Sequence, residues 1–271
     1  MIVVAGTKRS GTSLWMQILS EAGFRYVGDR FPRNWEQKLR DANPNGFYES
    51  VFRQGVNFQT NPHPRTGKYL RPEQSTKLLV KVFPAGVSRS DIAFLDRVVV
   101  TIRPWRSVVR SVRAMQRLEA EVWGWETLES PPLYLVPEVE WVYENFLLVR
   151  DLRLRAYPNV VHSHAHLMRD PARTIRTVLE FLEGPVEKTP QLAKLIDTRL
   201  NRQSKGEHEV PSVFDPSVAA GLDHWMANVE AGRWNDRDGL EALEEAWKFI
   251  HRERLVGMPL PWNDPRVAGD V

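Results

Sequence analysis

Four short runs of apolar, mostly β-branched residues stand out along the chain. They are IVVA (2–5), KLLVKVF (77–83), RVVVTI (97–102) and NVVHS (159–163). Such runs lack the polar–apolar alternation of a strand that has one face in water, and they are typical of central strands in a parallel sheet. The pattern therefore predicts four buried strands.

Between and after these runs, apolar residues recur at helical spacing. The spacing predicts helices over 12–24, 47–57, 107–118, 137–157 and 171–182. Segment 58–75 has three prolines and no periodicity, so it is predicted to be a loop that is long enough to suspect a function. From about residue 185 onward the pattern predicts helices and loops only, including an amphipathic surface helix over 237–250.

Strands that alternate with helices imply a parallel sheet that is covered by helices on both faces. The predicted fold class is α/β, a three-layer parallel sheet of the kind found in P-loop nucleotide hydrolases, with a mainly helical C-terminal part. One domain is expected over 1–271, with the core sheet within about 1–185 and the helical part within about 186–271.

Composition and charge narrow the classes of partner. The 37 Lys and Arg residues nearly balance 34 Asp and Glu, for a net charge of +3, so charge alone indicates no nucleic-acid partner. The chain has no cysteine, which excludes disulfides and thiolate-bound metals. Neither a signal peptide nor a membrane span is predicted, because the N-terminal apolar stretch is too short, and a cytoplasmic protein is expected.

The stretch GTKRSGTS follows the first predicted strand and opens the first predicted helix. Gly6 and Gly11 have the spacing of a phosphate-binding loop, and free amides at a helix N-terminus suit an anion. A nucleotide hydrolase would carry lysine where this chain has Thr12, and the cations here are Lys8 and Arg9 instead. The loop is predicted to bind phosphate, but a nucleoside triphosphate is a poor fit.

A second candidate site follows the third predicted strand. Arg103 lies at the end of that strand, where α/β folds bind their ligands, and Pro104 then breaks the strand. A half-buried arginine at this position needs an anion, and its planar guanidinium matches a phosphate. Ser111 adds a hydroxyl near the start of the next helix, whereas Arg113 and Arg117 are expected to be solvated helix cations.

Together, KRSGTSLW near the N-terminus and R-x₇-S after VVVTI resemble the sulfotransferases that use 3′-phosphoadenosine 5′-phosphosulfate (PAPS). The resemblance covers roughly residues 1–205. It implies an enzyme that transfers a sulfuryl group from PAPS to an acceptor hydroxyl or amine, leaving adenosine 3′,5′-bisphosphate, without a metal. It also implies that the first loop binds the 5′-phosphosulfate, while Arg103 and Ser111 bind the 3′-phosphate. The implied loop residues are Arg9, Ser10, Gly11, Thr12 and Ser13, with Lys8 either joining them or facing solvent.

The chain departs from the family pattern in three places. Arg9 replaces the lysine that opens the loop in many members, as in the branch that includes tyrosylprotein sulfotransferases. The cytosolic animal branch has a Lys-Thr-His segment at the end of a second strand, where this chain keeps Lys81 but has Phe83 in place of the histidine. The late glycine-rich nucleotide motif is missing, and in the nearest feature, LNRQSKG, Arg202 or Lys205 is expected to reach the nucleotide.

Sulfuryl transfer requires stabilisation of charge on the leaving phosphate and a base for the acceptor proton. Arg9 and Lys81, with the loop amides, suit the leaving phosphate. Glu49 is the predicted base, because NPNGFYES resembles a segment of bacterial members and places Glu49 after a glycine turn at a helix start. The alternatives are that Glu49 only stabilises the helix dipole, or that His63 in the proline-rich loop is the base.

His162, His164 and His166 alternate at the end of the fourth predicted strand. This spacing resembles that of a metal site, but no carboxylate or cysteine completes the set convincingly. Structural or surface roles are therefore expected for all three histidines, and no metal site is predicted.

The sequence leaves the acceptor open. Trp105, Trp123, Trp125 and Tyr134 either form an aromatic wall or lid or pack in the core. The expected partner is a small-molecule, carbohydrate or lipid acceptor, a peptide tyrosine stays open as well, and so does the oligomeric state. Two other functions also stay open: a P-loop-type kinase or phosphotransferase, and a nucleotide-binding module without catalysis.

Overall fold

The computed structural model describes residues 1–32, 35–124, 133–196 and 212–261. The strands are β1 (Ile2–Ala5), β2 (Leu79–Val82), β3 (Arg97–Ile102), β4 (Leu133–Leu135), β5 (Asn159–Ser163) and β6 (Pro259–Pro261). The helices are α1 (Thr12–Ala22), α2 (Trp35–Leu39), α3 (Pro72–Ser75), α4 (Pro84–Arg89), α5 (Trp105–Trp123), α6 (Pro137–Arg155), α7 (His164–Arg169), α8 (Pro171–Phe181), α9 (Thr189–Ala193), α10 (Pro216–Glu230) and α11 (Arg237–Arg252).

One parallel sheet contains the four predicted strands in the order β2-β1-β3-β5. In its register Val4 pairs with Lys81 on one side and with Val99 on the other. Every residue of β1 and β2 is buried, as continuous apolar runs require when helices cover both faces. The structure therefore confirms the four strands and an α/β fold in which helices flank a parallel sheet.

Alternating side chains of β1 separate the core into two layers. Ile2 and Val4 pack on one face with apolar residues of α1 and α8. Val3 and Ala5 pack on the other face with apolar residues of α5 and α6, and the C-terminal helices α10 and α11 share this second layer. In the described part of the chain, no helix combines the length and apolar character needed to cross a membrane.

The helix predicted over 47–57 is wrong. Only a single 3₁₀ turn forms there, Val51–Gln54, and Glu49 makes an isolated antiparallel bridge instead. The backbone enters the left-handed region at Tyr48 (φ 55°) and again at Gly55 (φ 104°), and either position ends a right-handed helix. Glu49 therefore precedes only one short 3₁₀ turn. The alternative role, in which Glu49 stabilises the dipole of an α-helix, is excluded because no α-helix begins there.

A second, two-stranded sheet pairs β4 with β6 in antiparallel register, from Leu133 opposite Pro261 to Leu135 opposite Pro259. This finding corrects the expectation of helices and loops only after residue 185. Strands of three residues are too short to show a period in the sequence, and the prolines of β6 obscure them further. The predicted loop over 58–75 is also shorter than expected, because it ends in α3.

Arg113 of α5 lies in the core and not in solvent as predicted. Its Nη2 donates a 3.0 Å hydrogen bond to Oε1 of Glu138 in α6, and the side chains are 6% and 0% exposed. Burial raises the pKa of Glu138, and the Arg113 charge opposes that shift. Within the described residues, Nε of Arg113 and Oε2 of Glu138 lack hydrogen-bond partners. Each of these two buried charges is therefore stabilised mainly by the other.

Replacement of Arg113 by methionine should destabilise the fold by about 3–5 kcal/mol, because the Glu138 carboxylate would stay buried without a counter-charge. Chemical denaturation measures the free energy of unfolding. The matched control is Glu121→Gln on the exposed face of α5, which should change that free energy by less than about 0.5 kcal/mol. Arg113→Met combined with Glu138→Met should recover most of the loss. A double variant as unstable as the single one would contradict the ion-pair explanation.

Candidate functional site

A cavity of about 750 Å³ opens at the edge of the sheet where the four parallel strands end. Segments that follow these strands contribute to its wall: the opening loop after β1, Phe83 after β2, Arg103 after β3 and His164 after β5. The C-terminal ends of parallel strands meet at one edge, so residues that are distant in sequence converge there. This cavity is the candidate functional site.

The opening loop presents the N-terminus of α1 to the cavity. Gly11 precedes the helix with a φ of 101°, and a Cβ at this position would lie 2.8 Å from Cδ2 of His164. Only glycine combines this backbone conformation with so close a neighbour. Thr12 and Ser13 begin the helix and line the cavity with Gly11, so an anion there would meet amides and hydroxyls.

The Ser10 side chain faces away from the cavity, although the sequence predicted it to bind the nucleotide. Ser10 is fully buried, and its hydroxyl donates a 2.7 Å hydrogen bond to the carbonyl of Thr7. A Cβ on Gly6 would lie 2.4 Å from the Ser10 hydroxyl and 2.6 Å from the carbonyl oxygen of Thr101 in β3. Ser10 therefore shapes the loop and packs it against β3.

Arg9 joins the two predicted anion sites. Its Nε donates a 3.0 Å hydrogen bond to the hydroxyl of Ser111, and its Nη2 donates one of 3.1 Å to the carbonyl of Ala42. The Arg9 carbonyl accepts a 3.0 Å bond from Nη1 of Arg103, whose Nε donates to the hydroxyl of Ser107. All four acceptors are neutral oxygens. Among the described residues, neither guanidinium forms an ion pair with a carboxylate.

Both guanidinium groups are partly buried, and this partial removal from water makes their charge costly. Desolvation lowers the pKa of Arg9. Desolvation, followed by the nearby charges of Arg9 and Arg110, lowers the pKa of Arg103 to about 10. Two partly buried cations that lie close together and hydrogen-bond only to neutral groups favour the binding of an anion.

Lys81 and Glu49 form a buried ion pair beside the start of α1. The Lys81 ammonium, 5% exposed, donates to Oε1 of Glu49 at 2.5 Å, to the carbonyl of Phe47 at 2.5 Å and to the hydroxyl of Ser13 at 3.3 Å. Burial lowers the pKa of Lys81, while Glu49 raises it. Oε2 of Glu49 has no hydrogen-bond partner in the described part of the chain, and Arg53 Nη1 lies 4.0 Å away.

Lys8 lies at the rim of the cavity. Its side chain is 52% exposed, and its Nζ lies 2.8 Å from Oε1 of Glu140 in α6. Lys8 therefore neither turns fully to solvent nor offers an uncompensated charge to the cavity.

Glu119 of α5 also lines the cavity, and the sequence did not reveal it as a site residue. The Tyr134 hydroxyl donates a long hydrogen bond, 3.4 Å, to its Oε2. Burial raises the pKa of Glu119, while Lys8, Tyr134 and Arg9 oppose the shift. In the sequence Glu119 is one of several charged residues in an amphipathic helix, so no local signal separates it from the others.

The three alternating histidines have different environments. His162 lies under α1, where its ring meets the Trp15 ring edge-on with centroids 4.7 Å apart. Both of its nitrogens lack hydrogen-bond partners among the described residues. His164 lines the cavity beside Gly11, which the expected structural or surface role did not include. Burial and the Arg103 charge lower the pKa of His164 to about 3, so its imidazole is neutral.

Other predicted candidates lie elsewhere. His63 is not among the residues that line the cavity. Its Nδ1 instead accepts hydrogen bonds from the backbone amides of Arg65 and Thr66 within its own loop. Trp105 is fully buried and donates a 2.8 Å hydrogen bond to Asp223 of α10, so it belongs to the core. Arg202, Lys205, Trp125 and the Trp123 side chain lie outside the described residues.

Two partly exposed apolar walls complete the cavity. One comes from α1, α7 and the residues after α9: Leu14, Met168, Leu195 and Ile196. The other comes from α2, α5 and β4: Trp35, Met115, Leu118 and Tyr134. Apolar surface inside a concave site with convergent polar groups is typical of a ligand pocket. No three His, Asp or Glu side chains that could share a metal ion occur among the residues described.

His162 should make the protein less stable in acid. Burial lowers its pKa from 6.5 to about 3, so the unfolded chain binds this proton at a higher pH than the folded one. The contribution of His162 to stability is therefore complete above pH 6.5 and declines as the pH falls from 6.5 towards 3, by about 1.4 kcal/mol per pH unit.

Denaturant titrations between pH 7 and pH 4 measure this dependence. His162→Leu should flatten the plot of unfolding free energy against pH by about the same slope. Parallel plots for the wild type and the variant would show that His162 has no such effect.

No protein-family model matches this chain, and no curated protein matches its sequence at a significant level. The proposal of a function therefore depends on the chemistry of the cavity.

Proposed function

We propose that this chain is a PAPS-dependent sulfotransferase with a P-loop-like nucleotide site. The observation that carries the proposal is the contact between Arg9 and the segment after β3, at Ser111 and Arg103. The resemblance assigns these groups to the two ends of PAPS, and a nucleotide that carries phosphate at both ends needs two anion sites in one cavity.

The charges of the cavity support a polyanionic ligand. Arg9 and Arg103 are partly buried and bond to neutral acceptors, so a phosphate would supply the direct counter-charges that the described residues do not. Guanidinium–phosphate hydrogen bonds are charge-assisted and roughly twice as strong as neutral ones. In this arrangement Arg103 and Ser111 bind the 3′-phosphate, while Arg9 and the amides at the start of α1 bind the 5′-phosphosulfate.

The apolar wall of Leu14, Met168, Leu195 and Ile196 suits the adenine ring. Leu14 belongs to the first turn of α1, directly after the predicted phosphate-binding residues. An aromatic base would cover this partly exposed apolar surface and would gain from its removal from water.

The transfer is a displacement at sulfur. The acceptor oxygen forms a bond to sulfur, the bond from sulfur to the bridging oxygen breaks, and the bridging electrons remain on the 5′-phosphate of adenosine 3′,5′-bisphosphate. Lys81 and Arg9 stabilise the charge that grows on that phosphate. Glu49, which lines the cavity and accepts a hydrogen bond from Lys81, takes the acceptor proton.

A phosphotransferase that uses ATP is less compatible with these groups. Thr12 occupies the position of the P-loop lysine, and a lysine charge comes instead from Lys81 on β2, whose Nζ lies 3.3 Å from the Ser13 hydroxyl. Lys81 is bonded to Ser13 and Glu49, next to the first turn of α1, where it would meet a group beyond the 5′-phosphate.

Isothermal calorimetry with adenosine 3′,5′-bisphosphate and with ATP tests the nucleotide assignment. The bisphosphate should bind at least about tenfold more tightly, and Arg103→Ala should weaken it by about 10- to 100-fold, because charged hydrogen bonds contribute about 1.5–3 kcal/mol. Arg65→Ala, an exposed cation in the loop outside the cavity, is the control and should bind normally. Tighter binding of ATP would overturn the proposal.

Glu49→Gln tests the base. It keeps a hydrogen-bond acceptor for Lys81 but cannot take a proton, so kcat for transfer from PAPS should fall by about 100-fold or more. Affinity for adenosine 3′,5′-bisphosphate should change little. Glu73→Gln, on α3 away from the cavity, is the matched control and should leave kcat unchanged. Near-normal kcat for Glu49→Gln at saturating substrate would remove Glu49 as the base.

A further inference from the structure

The basic segment, residues 50–72, concentrates positive charge outside the cavity. It holds four cations and no Asp or Glu: Arg53, Arg65, Lys68 and Arg71. The whole chain has a net charge of only +3, so this segment is more positive than the protein as a whole. Arg65, Lys68 and Arg71 are exposed, and none of the three forms an ion pair with a described residue. Their charge is therefore available to an anionic partner.

Large apolar side chains are exposed in the same region. Phe58 is 87% exposed and Tyr69 is 57% exposed, and both belong to the basic segment. Ile92, 53% exposed, lies beside the segment. The amide of Asp91 donates a 2.9 Å hydrogen bond to the carbonyl of Val56, and the 3₁₀ turn that begins at Ile92 contacts α3. Large apolar side chains that cluster on a surface mark a place where another molecule binds.

Hydrogen bonds within the basic segment hold its loop in one shape. The side chain of Asn61 donates a 2.8 Å bond to the carbonyl of Leu70 and accepts a 2.9 Å bond from the Leu70 amide, which closes the base of the loop. At the tip, the His63 amide donates to the Lys68 carbonyl and the Gly67 amide donates to the His63 carbonyl, each at 2.8 Å. The loop therefore presents its side chains without a large loss of conformational freedom on binding.

The exposed carboxylates of the region lie at the base of the loop. Glu73 follows the basic segment in α3, and Asp91 precedes the turn that contacts α3. Oδ1 of Asp91 accepts a 3.0 Å hydrogen bond from the Ala93 amide. Arg65 and Lys68, in contrast, belong to the tip beyond the Asn61 side chain. The outer part of the loop thus combines cations with aromatic side chains.

We propose that the basic segment and Ile92 dock the protein onto the surface of a membrane that contains anionic phospholipids. The headgroups meet Arg65, Lys68 and Arg71, while Phe58, Tyr69 and Ile92 enter the boundary between the headgroups and the acyl chains. A nucleic acid or an anionic polysaccharide would use the cations but not Ile92, because an aliphatic side chain offers no ring to stack on. The proposal does not depend on the sulfotransferase function.

Docking at this surface would place the cavity beside the bilayer. Arg53 and Gln54 line the cavity and lead directly into the exposed part of the basic segment. The same region therefore joins the candidate functional site to the proposed membrane contact.

Sedimentation with lipid vesicles tests the proposal. At low ionic strength the protein should bind vesicles of phosphatidylcholine with about 30% phosphatidylserine at least about 30-fold more tightly than vesicles of phosphatidylcholine alone, and salt at about 0.5 M should remove most of this preference. The triple variant Arg65→Gln, Lys68→Gln, Arg71→Gln should weaken binding to the anionic vesicles by about 100-fold, because each cation near such a surface contributes about fivefold. Phe58→Ser combined with Ile92→Ser should weaken it by about tenfold.

A matched control removes the same charge from the opposite edge of the sheet. The basic segment precedes β2 at one edge, whereas α7 and α8 follow β5 at the other. The triple variant Arg169→Gln, Arg173→Gln, Arg176→Gln changes three exposed cations there and should alter vesicle binding by less than about threefold. All of these side chains are exposed, so the variants should keep the free energy of unfolding of the wild type within about 0.5 kcal/mol, which denaturant titration checks.

A fluorescent label locates the contact independently of affinity. The chain has no cysteine, so Gln59→Cys provides a single thiol next to Phe58 for an environment-sensitive fluorophore. Its emission should shift to shorter wavelength on anionic vesicles, since the label would leave water with Phe58. The same label on Thr177→Cys, an exposed position of α8, should not shift.

Equal binding to the two kinds of vesicle, no binding to either, or an unchanged affinity in the Arg65–Lys68–Arg71 variant would overturn the proposal. Unshifted emission from residue 59 on vesicles that carry bound protein would overturn it as well. Heparin and a single-stranded oligonucleotide serve as competing polyanions. Tighter binding of either one than of the anionic vesicles, with no effect of the Phe58 and Ile92 substitutions, would assign the cations to a soluble polyanion instead.

Discussion

The side chain of Arg9 crosses from the opening loop to helix α5, and the organisation of the cavity depends on this contact. The Arg9 backbone lies in the left-handed region at φ 63°, which is uncommon for a residue other than glycine. Such a conformation persists where the surroundings over-determine it. Here Ser111, Ala42 and Arg103 all bond to Arg9, on both its side chain and its carbonyl. The result is a pair of adjacent, partly buried guanidinium groups whose repulsion an anion would relieve.

Next to these two cations lies an ion pair, formed by the Lys81 ammonium and the Glu49 carboxylate. Lys81 is in contact with Glu49 and also reaches Ser13 at the start of α1. Among the described residues, Arg9 and Arg103 form no direct ion pair with a carboxylate, whereas Lys81 beside them pairs with Glu49. In the proposed reaction the first group holds phosphates, whereas the second combines charge stabilisation with proton transfer. The apolar wall on the α1 side would then hold the nucleoside.

Much of this arrangement follows from local sequence. Gly11 and Thr12 are predicted as site residues from the glycine spacing of the loop and the helix start that follows it, and Arg103 from its position at the end of an apolar run; the structure places all three in the cavity wall. The errors have physical causes. The turn at Tyr48 depends on a left-handed backbone conformation, which a tyrosine in the sequence does not predict. The sequence pattern of α5 predicts that Arg113 faces solvent, but the packing of α6 against α5 buries it beside Glu138.

Residue types and their local order suffice to predict the four buried strands, the glycine-containing loop after β1 and the cations that follow β1 and β3. These features depend on short-range properties, namely residue type, spacing and the conformational freedom of glycine. The packing of the whole fold was needed to show that the Ser10 side chain turns inward, that His164 and Glu119 line the cavity and that His63 does not. Those outcomes depend on which elements pack together, and the parallel order β2-β1-β3-β5 brings to one edge side chains that are more than a hundred residues apart in the chain.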